Sequence, residues 1–112
     1  MQRICMAGAT GLSGGTIAAA FAADPRFDLT ACVARSSAGE QVHGAPCFAT
    51  VAEALTQAEF DVLVDYTQAD AVFAHTMQAI DAGRRVVIGT SGLTAADYAK
   101  IDDAARAARL GV

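Results

Sequence analysis

Short apolar runs alternate along the chain with longer segments in which apolar residues recur at helical spacing. The length, composition and flanking residues of the short runs predict buried strands at 3–7, 27–34, 61–66 and 85–88. The longer segments predict helices at 12–23, about 50–57, 69–82 and 94 to about 110. Apolar strands joined by helices favour a parallel sheet that is covered on both faces, a doubly wound α/β domain.

Polar residues mark where these elements begin and end. Thr50 with Glu53 and Thr94 with Asp97 form capping-box patterns that start two of the helices. The polar composition of residues 35–44 predicts a loop. We interpret all of 1–112 as one domain. Four strands would leave one edge of the sheet unfinished. The last two residues resemble a helix stop, with Gly111 as the C′ residue, followed by the start of another strand. We therefore expect a C-terminal domain to be missing.

Composition narrows the functional class. With 54% hydrophobic residues, a net charge of −4 and a pI of about 4.8, the chain is not expected to bind nucleic acid, which requires clustered basic residues. No run approaches the roughly 20 apolar residues of a membrane span, and the start shows no signal-peptide pattern, so we predict a cytoplasmic protein. Three cysteines (Cys5, Cys32 and Cys47) without C-x-x-C spacing predict no metal or redox site.

A glycine-rich turn follows the first predicted strand and opens the first helix. Gly8, Gly11 and Gly14 form G-x-x-G-x-x-G, a variant of the dinucleotide-binding turn of Rossmann-like folds. Such a turn brings the backbone close to a pyrophosphate, and the helix N-terminus offers free amides to it. An ordinary strand–helix turn built of small residues is the structural alternative.

The residue that reads the adenosine ribose lies about 20 residues beyond the last of these glycines. The chain has no carboxylate there, but Arg35 flanked by the hydroxyl groups of Ser36 and Ser37. A guanidinium suits a 2′-phosphate, so the pattern favours NADPH over NADH, with NADH still possible. A solvated loop arginine is the alternative.

Two further loops follow strand ends, at 65–67 and 89–92. Ligands of open parallel sheets bind beyond the carboxyl ends of the strands, so we expect all four strand-end loops to face one crevice. Tyr66 offers a ring, Gly89 permits close backbone approach, and Thr90 supplies a small donor, as does Ser91. Asp65 is typical of a carboxylate that caps a neighbouring loop. His43 and His75 lack a carboxylate–histidine pattern, so neither is expected to be catalytic.

Three of these segments, 8–14, 62–67 and 86–92, together resemble the N-terminal domain of the dihydrodipicolinate reductase family. The resemblance covers nearly the whole chain. It implies an NAD(P)H-dependent enzyme, 4-hydroxy-tetrahydrodipicolinate reductase, which transfers a hydride to a cyclic dicarboxylate in lysine and diaminopimelate biosynthesis. It also implies a small-molecule substrate and a homotetramer formed through the missing C-terminal domain, which carries the catalytic residues. No catalytic residue and no metal ligand is therefore expected within 1–112.

The resemblance also implies a role for each motif residue. The pyrophosphate would be held by Gly8, Ala9, Thr10, Gly11, Leu12 and Ser13, and the 2′-phosphate by Arg35. The nicotinamide and its ribose would be bordered by Tyr66, Thr67, Gly89, Thr90 and Ser91, the last of which would also reach the substrate.

The chain departs from the family pattern near the phosphates. Leu12-Ser13 stands where many members carry Arg-Met, and Ala34 stands where an acidic residue is common. Two alternatives remain open from the sequence: a stand-alone nucleotide-binding regulatory module without catalysis, and another reductase that opens with Gly-Ala-Thr-Gly, such as an atypical short-chain reductase or a semialdehyde dehydrogenase.

Overall fold

Helices and strands alternate along the computed structural model, which describes residues 1–90 and 92–110. The strands are β1 (Gln2–Ala7), β2 (Phe27–Val33), β3 (Gln41–Val42), β4 (Ala45–Phe48), β5 (Val62–Asp65) and β6 (Arg85–Ile88). The helices are α1 (Leu12–Ala23), α2 (Val51–Gln57), α3 (Ala69–Asp81) and α4 (Ala95–Ala108), with one 3₁₀ turn at Arg35–Ser37.

The strands form one six-stranded sheet in the order β3-β4-β2-β1-β5-β6. All neighbouring pairs are parallel except β3 with β4, which is antiparallel. The chain starts at β1 in the middle, builds outward through β2, and then crosses back to β5. The order of the strands therefore reverses between β1 and β5, which is where ligands bind in doubly wound sheets. The predicted Rossmann-like fold is confirmed.

Successive residues of β1 point to opposite faces, and each face is covered. Cys5 and Ala7 pack into a core closed by α2, α3 and α4, whereas Ile4 and Met6 pack into a second core beneath α1. This alternation is the period-two pattern of a strand that is buried on both sides. The three cysteines are free and buried within these layers, as small apolar side chains.

The predicted loop at 35–44 is only partly correct, because the chain there enters a short β-hairpin. His43 and Gly44 both have positive φ, of 50° and 82°, the signature of a two-residue hairpin turn. In β4, Ala45 and Cys47 are buried while Pro46 is exposed, and Cys47 pairs in register with Cys32 of β2. Pairing with a distant strand, and not local propensity, makes this segment extended.

The predicted helix caps are confirmed to different extents. The Thr50 hydroxyl accepts a hydrogen bond from the Glu53 amide at 3.1 Å, and at Thr94 both halves of the capping box are present. Helix α4 ends two residues before the predicted Leu110, since Arg109 takes the left-handed conformation with φ 57°. Gly111, predicted as the C′ residue, lies outside the described residues. In the part of the chain that is described, no helix is both long and apolar enough to cross a membrane.

The ion pair between Arg3 and Asp61 predicts how stability responds to acid. Hydrogen bonds from the Arg3 guanidinium and then from its amide lower the pKa of Asp61 to about 2, below the roughly 3.9 of an unfolded chain. The stabilisation is therefore complete above about pH 4 and is lost as the pH falls towards 2. We expect the urea midpoint of Asp61→Asn, followed by circular dichroism, to fall less steeply than that of the native chain as the pH is lowered through this window. Asp81→Asn, which removes an exposed carboxylate on α3, should leave the dependence of the urea midpoint on pH unchanged. An equal reduction of this dependence in both variants would contradict its assignment to the Arg3–Asp61 pair.

Candidate functional site

A cleft of about 550 Å³ opens at the carboxyl ends of the strands. It is lined by the turns after β1, β2 and β5, by the start of α2 and by the first two turns of α3: Gly8, Thr10, Gly11, Val33, Ala34, Arg35, Ala49, Thr50, Tyr66, Thr67, Gln68, Asp70, Ala71 and His75. Three of the four predicted loops thus meet directly in one cleft. The fourth, after β6, joins them through contacts with Tyr66 and Thr67.

The three glycines of the first turn have different structural roles. Gly8 has φ +82°, and a Cβ there would lie 2.7 Å from the Tyr66 carbonyl oxygen. A Cβ on Gly14 would overlap the Gly8 carbonyl oxygen, so α1 can reach β1 only with glycine at this position. At Gly11, by contrast, a Cβ would meet the Gly8 carbonyl oxygen at 3.5 Å, an ordinary contact. Packing within this turn therefore requires Gly8 and Gly14, whereas Gly11 leaves space on the cleft.

The N-terminus of α1 presents free amides beside this space. Its first helical hydrogen bond runs from the Gly15 amide to the Gly11 carbonyl at 2.7 Å, so the amides of 12–14 have no intrahelical partner. Gly11 supplies no side-chain cap, and the first turn of α1 holds no acidic residue. The site is thus suited to an anion. Three further residues of this turn are expected from the sequence to help hold the pyrophosphate. Ala9 is buried, while the side chains of Leu12 and Ser13 are exposed.

The turns after β1 and β2 touch through two hydroxyl groups. Thr10 Oγ1 lies 3.3 Å from Ser36 Oγ, and Arg35, the first residue of the 3₁₀ turn, is exposed and lines the cleft. Ala34 at the end of β2 also lines it and brings no carboxylate. The Arg35 guanidinium and the hydroxyl pair of Thr10 and Ser36 therefore belong to the two turns that border this side of the cleft.

The Tyr66 ring lies directly on Gly89. A Cβ on Gly89 would overlap that ring, and the Gly89 amide donates to the Asp65 carbonyl at 2.9 Å. Gly89 therefore permits a close approach, as predicted, but the group that approaches it is the Tyr66 ring of this chain. Thr90 Oγ1 donates to the Thr67 carbonyl at 2.9 Å, which ties the turn after β6 to the turn after β5. Ser91, predicted to reach the ribose and the substrate, lies outside the described residues.

His75, around which the sequence shows no carboxylate–histidine pattern, has a carboxylate partner in the structure. His75 Nδ1 lies 2.9 Å from Oδ2 of Asp65, a fully buried carboxylate whose Oδ1 accepts from the amide and hydroxyl of Thr67. Burial opposes ionisation of Asp65, but hydrogen bonds from His75 and Thr67 outweigh it and hold the pKa of Asp65 below its usual range. The prediction that Asp65 caps a neighbouring loop is confirmed. A signal existed in the sequence, since a carboxylate at the end of a buried strand must find donors.

Comparison with known proteins identifies the family. The family model of the dihydrodipicolinate reductase N-terminus matches residues 2–112. This chain belongs to the dihydrodipicolinate reductase family. The assignment decides against the alternative reductases that open with Gly-Ala-Thr-Gly.

Individual relatives agree with the assignment. The chain is 35% identical to a 4-hydroxy-tetrahydrodipicolinate reductase of Methylococcus capsulatus, over 83% of this chain and 38% of the relative. It is 31% identical to the reductase of Streptococcus pneumoniae, over 97% and 42%. The chain thus spans less than half the length of these curated family members.

Solved structures show the same fold. A dipicolinate-bound dihydrodipicolinate reductase from Paenisporosarcina superimposes with a TM-score of 0.89 at 24% identity, over 99% of this chain and 45% of that one. GenD2 of gentamicin A biosynthesis, solved in complex with NAD, superimposes with a TM-score of 0.81 at 27% identity, over 97% and 32%.

Proposed function

We propose that residues 1–112 form the NADPH-binding domain of a 4-hydroxy-tetrahydrodipicolinate reductase. The observation that carries the proposal is the convergence of the Gly8 turn, Arg35 and the turn at Tyr66 on one cleft at the carboxyl ends of the strands. That position is where doubly wound sheets bind dinucleotides. The family assignment supplies the reaction class, and the NAD complex of GenD2, a protein of the same fold, agrees with a nicotinamide cofactor.

The residues at the N-terminus of α1 fit a pyrophosphate. Gly11 leaves open the space that a side chain would fill, and the free amides of 12–14 border it. In this proposal Gly8, Ala9 and Thr10 shape the turn. Leu12 and Ser13 contribute their amides, not their side chains. Because no basic side chain stands at these two positions, the helix terminus supplies the favourable potential here.

The end of β2 favours a 2′-phosphate over a free ribose hydroxyl. Arg35 offers a guanidinium, and Thr10 with Ser36 adds a pair of hydroxyl groups that already touch each other. A dinucleotide without the 2′-phosphate would need an acceptor for its 2′-hydroxyl at this place, and Ala34 provides no side-chain acceptor. We therefore expect NADPH to bind more tightly than NADH.

The nicotinamide end would lie beside Tyr66 and Thr67, near Gly89, Thr90 and Ser91. In the structure the Tyr66 ring covers Gly89, and the Thr90 hydroxyl is engaged by Thr67, so this wall of the cleft is built before any ligand arrives. When bound, the reduced cofactor supplies a hydride for a cyclic dicarboxylate substrate. This chain's own residues would bind and orient the cofactor, and the proton donors of the reaction would come from outside 1–112.

Calorimetry with the 112-residue chain tests the proposal. We expect measurable binding of NADPH, weaker binding of NADH, and no turnover by the chain alone. Gly11→Val serves as a site variant, because its Cβ would meet only an ordinary contact in the fold and its bulk is added at the residue that precedes the free amides. It should lose NADPH binding and keep its circular dichroism spectrum. The absence of binding by both nucleotides at millimolar concentration would refute the proposed function.

A further inference from the structure

A chain of hydrogen bonds joins helix α3 to the turns after β5 and β6. His75 Nδ1 meets Asp65 Oδ2 at 2.9 Å, the Thr67 amide donates to Asp65 Oδ1 at 2.9 Å, and Thr90 Oγ1 donates to the Thr67 carbonyl at 2.9 Å. Four residues from three parts of the chain thus form one connected network. It borders the cleft, because two of its members, His75 and Thr67, are lining residues.

The chemistry of Asp65 settles which group donates. An ionised carboxylate only accepts hydrogen bonds, so His75 must carry a hydrogen on Nδ1. The other ring nitrogen, Nε2, has no hydrogen-bond partner within 1–90 and 92–110 and is not buried. The imidazole side chain is 20% exposed, whereas that of Asp65 is fully buried. His75 therefore has one nitrogen bonded to Asp65 and one without a hydrogen-bond partner among the described residues.

The turn held by this network forms the wall between the two glycine turns. On one side the Tyr66 carbonyl packs so closely on Gly8 that no Cβ would fit there, and on the other the Tyr66 ring covers Gly89. The Tyr66 amide also donates to the Ala7 carbonyl at 3.0 Å. A shift of the 66–67 turn would therefore disturb both ends of the cleft. Its position depends on a carboxylate whose donors include a side chain seven residues into α3.

We propose that His75 is a positioning residue of the nucleotide site. By donating from Nδ1 to Asp65, it orients the carboxylate that holds the Tyr66–Thr67 turn in place to receive the cofactor. The proposal rests on the proposed function and extends it to a residue that acts through Asp65 and Thr67. The loss of such a donor leaves a buried carboxylate short of one hydrogen bond, which a small shift of the turn would relieve.

Three substitutions separate the two nitrogens of the ring. His75→Asn places an amide NH₂ near the position of Nδ1, His75→Gln places one near Nε2, and His75→Ala removes both. We expect His75→Asn to bind NADPH within about threefold of the native chain, and the other two to bind about tenfold more weakly. Ile101→Val, which trims the core under α4, lowers stability without touching the cleft and should leave NADPH affinity unchanged.

Tyrosine fluorescence gives a readout that needs no cofactor. The chain has two tyrosines and no tryptophan, so in a Tyr98→Phe background Tyr66 is the sole tyrosine. Its emission should change in His75→Gln and His75→Ala and return to the native value in His75→Asn, whereas Ile101→Val should not alter it. This measurement still decides the role of His75 if the native chain binds neither nucleotide, an outcome that would refute the proposed function alone.

Two outcomes would overturn the positioning role. The first is native affinity in His75→Gln with loss in His75→Asn, which would make Nε2 a direct ligand of the nucleotide. The second is the same affinity and the same Tyr66 emission in all folded variants. Where His75→Ala does not fold, the comparison of His75→Asn with His75→Gln decides by itself.

Discussion

Gly14→Ala is expected to lower the free energy of unfolding by about 3 kcal/mol, at the upper end of the usual cost of overpacking. The added Cβ would overlap the carbonyl oxygen of Gly8 and lie 2.8 Å from its carbonyl carbon. Both are backbone atoms, and the Gly8 amide is itself bonded to the Val33 carbonyl at 2.9 Å, so neither can retreat like the end of a flexible side chain. The variant must therefore separate α1 from β1. Urea denaturation followed by circular dichroism measures the change.

The next residue in the sequence provides the matched control. Gly15 also lies in α1, but a Cβ there would meet the Ala9 carbonyl oxygen at 3.4 Å, in ordinary contact. Gly15→Ala is expected to stabilise the chain by about 0.5–1 kcal/mol, because alanine loses less conformational entropy in a helix. Equal urea midpoints for the two variants would contradict the packing role assigned to Gly14.

Arg35→Ala is expected to weaken NADPH binding by about ten- to a hundredfold, the range for a lost hydrogen bond to a charged group. Binding of NADH should change by less than about threefold, because in the proposed function the guanidinium would face a 2′-phosphate that NADH lacks. The variant should also show a shallower dependence of NADPH affinity on salt, since one charge contact is lost. Titration calorimetry with both nucleotides at two salt concentrations measures all three effects.

Arg85→Ala is the control for charge alone. Arg85 is exposed at the start of β6, at the end of the sheet opposite to the cleft, and its loss changes the net charge by the same amount. It should leave both affinities unchanged. Equal losses of NADPH and NADH in Arg35→Ala would show that Arg35 does not contact the 2′-phosphate.

Both departures of this chain from the family pattern remove a charged side chain from the proposed nucleotide site. In the proposed function Leu12 and Ser13 would bring no cation to the pyrophosphate, so the N-terminus of α1 would bind it through backbone amides. Ala34 would bring no side-chain acceptor to the ribose, so discrimination between the two nucleotides would depend on Arg35 with the hydroxyl pair of Thr10 and Ser36. We therefore expect selectivity for NADPH to be concentrated in the turn after β2.

The local pattern of residues was sufficient to predict the principal elements. Helix α1 (Leu12–Ala23) and strand β6 (Arg85–Ile88) have the predicted bounds, because Pro25 stops a helix and a run of β-branched residues between glycines defines a strand. The positions of the Gly8 turn and Arg35 at the cleft were also predicted from spacing alone, since a strand–turn–helix unit places its loop at a known end of the sheet. These features depend on residues that are close in the sequence.

Tertiary structure decided what depends on distant partners. The hairpin at 41–48 is extended because β4 pairs with β2, and Asp65 meets His75 because α3 folds back over the end of β5. The separate roles of Gly11 and Gly14 likewise appear only when the Gly8 carbonyl is in place. Sequence by itself therefore determined the fold class and the position of the cleft, through periodicity and turn chemistry. Which side chains hold the cleft in shape was decided by packing between segments far apart in the chain, a term that local propensity does not contain.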